Sequence, residues 1–161
     1  MKNTPALLAL RQAKDLCQGH AATLAEVLGD MHSRALSLSE YAQMSKADRR
    51  LIDQFAYRYT RLQDDMGARL LPAVLLALGE DVAAMPAFDR FARLEQLGWL
   101  PSADDWNSLR QIRNQFVHDY PDSNEERYER LQAAASAASK MLGIMDLINT
   151  KLQQRFGEFL T

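Results

Sequence analysis

Apolar residues recur at intervals of three and four along almost the whole chain, and this spacing is the strongest constraint on its fold. It places apolar side chains along one face of a helix. No stretch shows the alternation of apolar and polar residues that is typical of a half-buried strand. Gly and Pro, which interrupt helices, number only 7 and 5 in 161 residues. The sequence therefore predicts an all-α protein.

Capping and breaking residues divide this pattern into segments. Ser-x-x-acid sequences begin at Ser45, Ser102 and Ser123, as expected at helix starts, and Pro72 predicts a kink. The apolar seam of the first helix is expected to continue through Ala35 and Leu38. The predicted helices run from Thr4 into the thirties, from about Ser45 to Pro72, from Pro86 to Leu97, from Ser102 to Asp119, and from Ser123 onward. We predict one domain spanning residues 1–161, an up-and-down bundle of about five helices.

Composition limits the classes of function. A single cysteine, Cys17, excludes an internal disulfide and a Cys-rich zinc site, and we expect it to pack in the core. His20 and His32 have no ligand partner in the sequence, so neither a metal nor another cofactor is expected. No signal sequence or membrane-spanning apolar run is evident, so we expect a cytoplasmic protein with no membrane partner.

The charge of the chain limits the classes of function further. The formal net charge of −2 argues against a protein that coats nucleic acid, so no DNA partner is expected and any RNA contact must be local. Residues 45–70 contain six basic residues against four Asp, a pattern usual for a solvated helix face. Within this segment Arg61, Asp64 and Asp65 are possible site-lining residues, although such residues more often form pairs within one helix.

The segment from Leu109 to Tyr120 contains the clearest candidates for chemistry, namely Arg113, Asn114, His118 and Tyr120. Residues five apart on a helix diverge by about 140°, so Arg113 and His118 are not expected to share a face. Asn114 and His118 are four apart, which would let the amide orient the imidazole. A second copy packed across a two-fold axis would bring both motifs together, which predicts a homodimer with a shared site.

These residue types suit RNA cleavage without a metal. An imidazole, which His118 supplies, can move protons to and from the reacting oxygens near neutral pH, and a guanidinium, which Arg113 supplies, can bind phosphate oxygens. Two alternatives are a site without catalysis and a helical dimer that serves only for interaction. In the first, Arg113 pairs with an acid such as Glu126, and His118 only forms hydrogen bonds near the helix end.

The pattern Arg113-Asn114-x-x-x-His118-x-Tyr120, preceded by the run from Trp106 to Asn114, resembles the motif of HEPN-domain proteins, and of HepT-type toxins in particular. Chain length and helix order are also similar, and the resemblance covers most of the chain.

The resemblance implies a HEPN-like, dimeric fold and a metal-independent endoribonuclease toxin. Arg113 and His118 of both protomers would form the catalytic site, and Asn114 would position groups within it. Tyr120 would accept AMP from a separate minimal nucleotidyltransferase, the antitoxin, and added phosphate beside the site would block RNA. The alternative within the same family is a non-catalytic nucleotide-binding or substrate-binding subunit of a nucleotidyltransferase pair.

Overall fold

A computed structural model describes residues 4–118 and 122–160, and all regular structure in these residues is helical. The prediction of an all-α protein is therefore confirmed. None of the helices in these ranges is both long and apolar enough to cross a membrane. The helices are α1 (Thr4–Arg34), α2 (Leu38–Ala42), α3 (Lys46–Asp65), α4 (Leu71–Ala77), α5 (Ala87–Gln96), α6 (Ala103–His118) and α7 (Asn124–Leu160), with a π-helical turn at Met66–Leu70 and a 3-10 turn at Val82–Ala84.

Serine caps set the starts of three helices, as predicted. The hydroxyl of Ser45 accepts a hydrogen bond from the amide of Asp48 at 3.1 Å, and Ser102 accepts one from Asp105 at 3.1 Å. Ser123 accepts one in the same way at the start of α7. Each cap satisfies an amide that the first helical turn leaves without a partner. The predicted starts lie within one residue of those observed.

The first helix ends in the thirties as predicted, but the apolar seam predicted for it extends too far. Helix α1 ends at Arg34, and Ala35 adopts a positive φ of 47°, so Ala35 and Leu38 do not continue its seam. Ser37 instead starts the short helix α2 with a complete capping box. The guanidinium of Arg34 contacts Glu40 at 2.8 Å and Asp48 at 2.9 Å. These polar contacts stabilise a local turn that apolar spacing cannot reveal.

The predicted disturbance at Pro72 takes the form of a π-helical turn. Residues Met66–Leu70 form this turn, and Pro72 then lies in the first turn of α4. Proline lacks an amide hydrogen and its ring clashes with the carbonyl four residues earlier, whereas the first turn of a helix tolerates it. The turn therefore separates α3 from α4 and begins immediately after Asp64 and Asp65.

The long helices pack in a ring around the core. Helix α1 contacts α3 and α7, α7 also contacts α6, and α6 contacts α3, while the short helix α5 packs against α4 and α6. The whole apolar stripe predicted for the last helix is buried, namely Leu131, Ala134, Ala138, Met141, Met145, Ile148, Leu152 and Phe156. Cys17 is also fully buried in the core. On α6, Trp106 and Leu109 point inward, which leaves Arg110 and Arg113 on the side that faces α3 and α5.

Candidate functional site

Arg113 and His118 lie close together within one chain. The Arg113 Nη1 atom is 3.4 Å from Nε2 of His118 at the exposed end of α6. One copy was expected to make a poor site because the two residues do not share a helix face, yet their side chains meet within one copy. The divergence of about 140° describes the directions in which side chains leave the helix, with an axial separation of about 7.5 Å. The long arginine side chain spans that separation, so a single chain already places a guanidinium beside an imidazole.

The acid that contacts Arg113 belongs to α3. Arg113 Nη2 is 2.7 Å from Oδ2 of Asp64, whereas Glu126 was the acid named for the non-catalytic interpretation. The side chain of Arg113 is 15% exposed and that of Asp64 is 50% exposed. Pairs this open to solvent add little to stability, typically about 0–1 kcal/mol. The contact therefore serves mainly to orient the guanidinium.

Asn114 contacts the arginine. Its Oδ1 accepts a hydrogen bond from Arg113 Nη1 at 3.4 Å, so the amide helps to orient Arg113, whereas we had expected it to orient His118. Tyr120, the predicted site of modification, lies outside the described residues, which resume at 122.

Aromatic packing fixes the second half of α6. The ring of Phe116 meets those of Phe55 and Tyr59 edge to face, with centroid separations of 5.8 Å in both cases. Phe55 and Tyr59 are themselves stacked at 5.4 Å and fully buried. Burial raises the pKa of Tyr59, so this hydroxyl is neutral at physiological pH. The three rings pack the second half of α6 against α3 beside the polar site.

Arg61 and Asp65, two of the predicted site-lining residues, do not join this site. Asp65 is 4% exposed, and its Oδ2 atom lies 3.5 Å from Nε2 of His20 on α1 and 3.7 Å from Arg61. His20 Nδ1 is 3.1 Å from Arg58. Burial, together with the charge of Arg58, lowers the pKa of His20. These residues form a separate cluster around the buried His20 and Asp65, and only Asp64 of the three predicted residues contacts Arg113.

A cavity of about 430 Å³ opens beside Arg113 between α3, α5 and α6, and we call it the arginine cleft. Two further arginines line it, Arg90 from α5 and Arg110 from α6. The complete lining consists of Gln63, Asp64, Gly67, Ala68, Ala87, Arg90, Phe91, Arg110, Arg113 and Asn114. Three guanidinium groups therefore face one carboxylate, and that carboxylate is already paired with Arg113.

Sequence analysis missed three polar residues of this cleft. Arg110 precedes Arg113 by three residues and so shares its helix face, which is a usable signal. Gln63 follows the buried Tyr59 by four residues, and a polar residue on an apolar seam is also a usable signal. Arg90 reaches the cleft only through the packing of α5 on α6, for which no sequence signal exists.

Comparison with known proteins gives no relative, since no protein-family model, curated protein or solved structure matches this chain. Within residues 4–118 and 122–160, no three His, Cys, Asp or Glu side chains form a group that could hold a metal ion. The chemistry available at the site is that of a guanidinium, an imidazole and two more arginines.

Proposed function

We propose that this protein is a metal-independent endoribonuclease of the HEPN type, acting as the toxin of a toxin–antitoxin pair. The observation that supports the proposal is the 3.4 Å approach of Arg113 to His118 at an exposed helix end. A guanidinium binds phosphate oxygens through paired N–H donors, and an imidazole exchanges protons near neutral pH.

The reaction needs two proton transfers. An imidazole removes the proton of the 2′-hydroxyl, whose oxygen attacks the adjacent phosphorus, and a protonated group gives a proton to the departing 5′-oxygen. Arg113 stabilises the charge on the phosphate oxygens. The products are a 2′,3′-cyclic phosphate and a 5′-hydroxyl.

The two proton transfers occur in the same cleavage reaction. One imidazole cannot act as the base and as the acid at the same moment, so a second group is needed. In the proposed homodimer, the His118 of the partner subunit would supply the second group.

The proposed partner is a minimal nucleotidyltransferase that transfers AMP to Tyr120. Tyr120 follows His118 by two residues, so an attached phosphate would lie near the site. It would add bulk and negative charge next to Arg113, where the RNA phosphate binds. The proposed location is the cytoplasm, where RNA and this partner would both be present.

The test compares cleavage of transfer and messenger RNA by wild type, Arg113→Ala and His118→Ala in the presence of EDTA. We expect wild type to cut in EDTA and to leave a 2′,3′-cyclic phosphate, detected by mass spectrometry. Each variant should lose at least 100-fold in rate, in line with the usual contribution of acid–base catalysis. His32→Ala, at an exposed histidine on α1, is the matched control and should cut normally.

Two results would contradict the proposal. One is cleavage that EDTA abolishes and magnesium restores. The other is full activity of His118→Ala with an unchanged melting temperature.

The Arg113–Asp64 contact of 2.7 Å favours one alternative, a non-catalytic nucleotide-binding subunit. A guanidinium that a carboxylate already holds in place can bind a nucleotide without taking part in catalysis. In that case wild type and His118→Ala would bind nucleotides equally and neither would cut RNA or arrest growth.

A further inference from the structure

We propose that the arginine cleft binds one unpaired nucleotide of the RNA next to the cleaved bond, with Arg90 and Arg110 on its phosphate and Gln63 on its base. The identity of the ligand as RNA rests on the proposed function. The binding site itself rests on the charge, the burial and the volume of the cleft.

The local charge favours an anion. Arg113 is paired with Asp64, whereas Arg90 and Arg110 form no ion pair within the described part of the chain. Two guanidinium groups thus remain to bind an anion in a chain whose formal net charge is −2. A phosphate is the natural partner, because guanidinium groups bind its oxygens through two parallel hydrogen bonds.

Both arginines are held in position. Arg90 Nε donates a hydrogen bond to the carbonyl of Met85 at 3.1 Å, and its two terminal nitrogens remain for a ligand. The guanidinium carbon of Arg110 lies 5.6 Å from the ring centroid of Phe91, a cation–π distance. Phe91 is buried and packs on Trp106, so it forms a fixed floor. Side chains that are already ordered lose less conformational entropy when a ligand binds.

Gln63 supplies the observation that points to a base. Its side chain is 3% exposed, yet neither Nε2 nor Oε1 has a hydrogen-bond partner among the described residues. Such groups normally find partners, since burying them without a hydrogen bond is costly. A carboxamide offers one donor and one acceptor side by side, as does the edge of an unpaired nucleobase.

The volume fits one nucleotide. At about 430 Å³ the cleft lies in the range of small-ligand pockets, about 300–1,000 Å³. Arg113 borders both the cleft and His118, so a nucleotide in the cleft would place the neighbouring phosphodiester beside the imidazole.

The experiment measures binding in the full-length His118→Ala protein, so that cleavage does not interfere. Fluorescein-labelled single-stranded RNA hexamers of A, C and U are titrated at several salt concentrations and followed by anisotropy. Arg90→Gln and Arg110→Gln should each weaken binding about tenfold, and the double variant should lower the salt slope by about 0.7, the value for the single phosphate contact that the two arginines share. Arg49→Gln, at an exposed arginine of α3, is the control and should change neither quantity.

Gln63→Leu tests the base contact. It should leave the salt slope unchanged, weaken binding of the preferred hexamer about tenfold and reduce the differences among the three hexamers. Inorganic phosphate and AMP serve as competitors, and AMP should compete better than phosphate alone.

The proposal is overturned if both arginine variants bind like the parent with an unchanged salt slope. It is also overturned if phosphate competes as well as AMP while Gln63→Leu has no effect, because the cleft would then be a simple anion site. Loss of binding in these variants, with no RNA cleavage by wild type, would support the cleft and refute the nuclease. RNA cleavage by wild type, with normal binding in every variant, would support the nuclease and refute the cleft.

Discussion

Replacing Gln63 by leucine should stabilise the free protein, which is unusual for a change at a buried position. Gln63 is 3% exposed, and both polar atoms of its amide lack protein partners in the described structure. A leucine of similar length removes both polar atoms and adds apolar surface to the core. The expected gain follows from the cost of leaving such groups unpaired.

The magnitude can be estimated from general values. An unsatisfied buried polar group costs about 1–3 kcal/mol. Burial of the apolar leucine side chain should raise the free energy of unfolding, and the imperfect fit of its branched shape should lower it by a similar amount. We therefore expect the free energy of unfolding to rise by about 1–3 kcal/mol. For a chain of this length that corresponds to an increase in Tm of roughly 2–12 °C.

The assay is urea unfolding followed by circular dichroism, with Tm from calorimetry as a second measurement. Gln54→Leu, at an exposed glutamine of the same helix, is the matched control and should stay within about 0.5 kcal/mol of wild type. A loss of 1 kcal/mol or more in Gln63→Leu, with the control unchanged, would refute the reasoning. It would mean that the free protein satisfies this amide, for instance through a bridging water.

Two further predictions concern buried groups on α1. Burial lowers the pKa of His20 in the folded protein, so the unfolded chain binds a proton more readily. The free energy of unfolding therefore keeps its full value above about pH 6.5, the ordinary pKa of histidine, and declines as the pH falls below it. Between pH 7 and 5, His20→Gln should therefore lose less stability than wild type, and His32→Gln should behave like wild type; equal slopes in all three would contradict this. Burial also raises the pKa of Cys17 to about 12, so a thiol reagent should label it only at the rate of global unfolding. Rapid labelling under native conditions would show that the core opens locally.

The fold was largely predictable because apolar spacing reports burial directly. The last helix illustrates this, since every residue of its predicted stripe from Leu131 to Phe156 is buried. Helix α2 was not predictable in the same way. It is five residues long, buries no side chain, and depends on the cap at Ser37 and on contacts of Arg34. Such elements depend on individual polar contacts, which leave no periodic pattern.

The candidate site was predictable only in part. The motif placed Arg113 and His118 at the end of one helix, but angular geometry alone could not show how far an arginine reaches. Asp64 was named with Asp65, yet the two neighbours face different sides of α3, one toward Arg113 and the other toward His20. Which of two adjacent acids joins a site depends on the helix that packs against each side. The sequence of α3 does not contain that information.

The contact between Arg113 and His118 changes the argument for a two-fold assembly. The dimer was predicted because Arg113 and His118 do not share a helix face, and the distance of 3.4 Å between their side chains in one chain weakens that reason. A second argument remains within the proposed reaction, which needs one group to take a proton and another to give one. Among the described residues, the site contains one imidazole, that of His118, beside the guanidinium of Arg113. We propose that the second group is His118 of the partner subunit, so the prediction of a homodimer now rests on the proposed chemistry and no longer on the geometry of one helix.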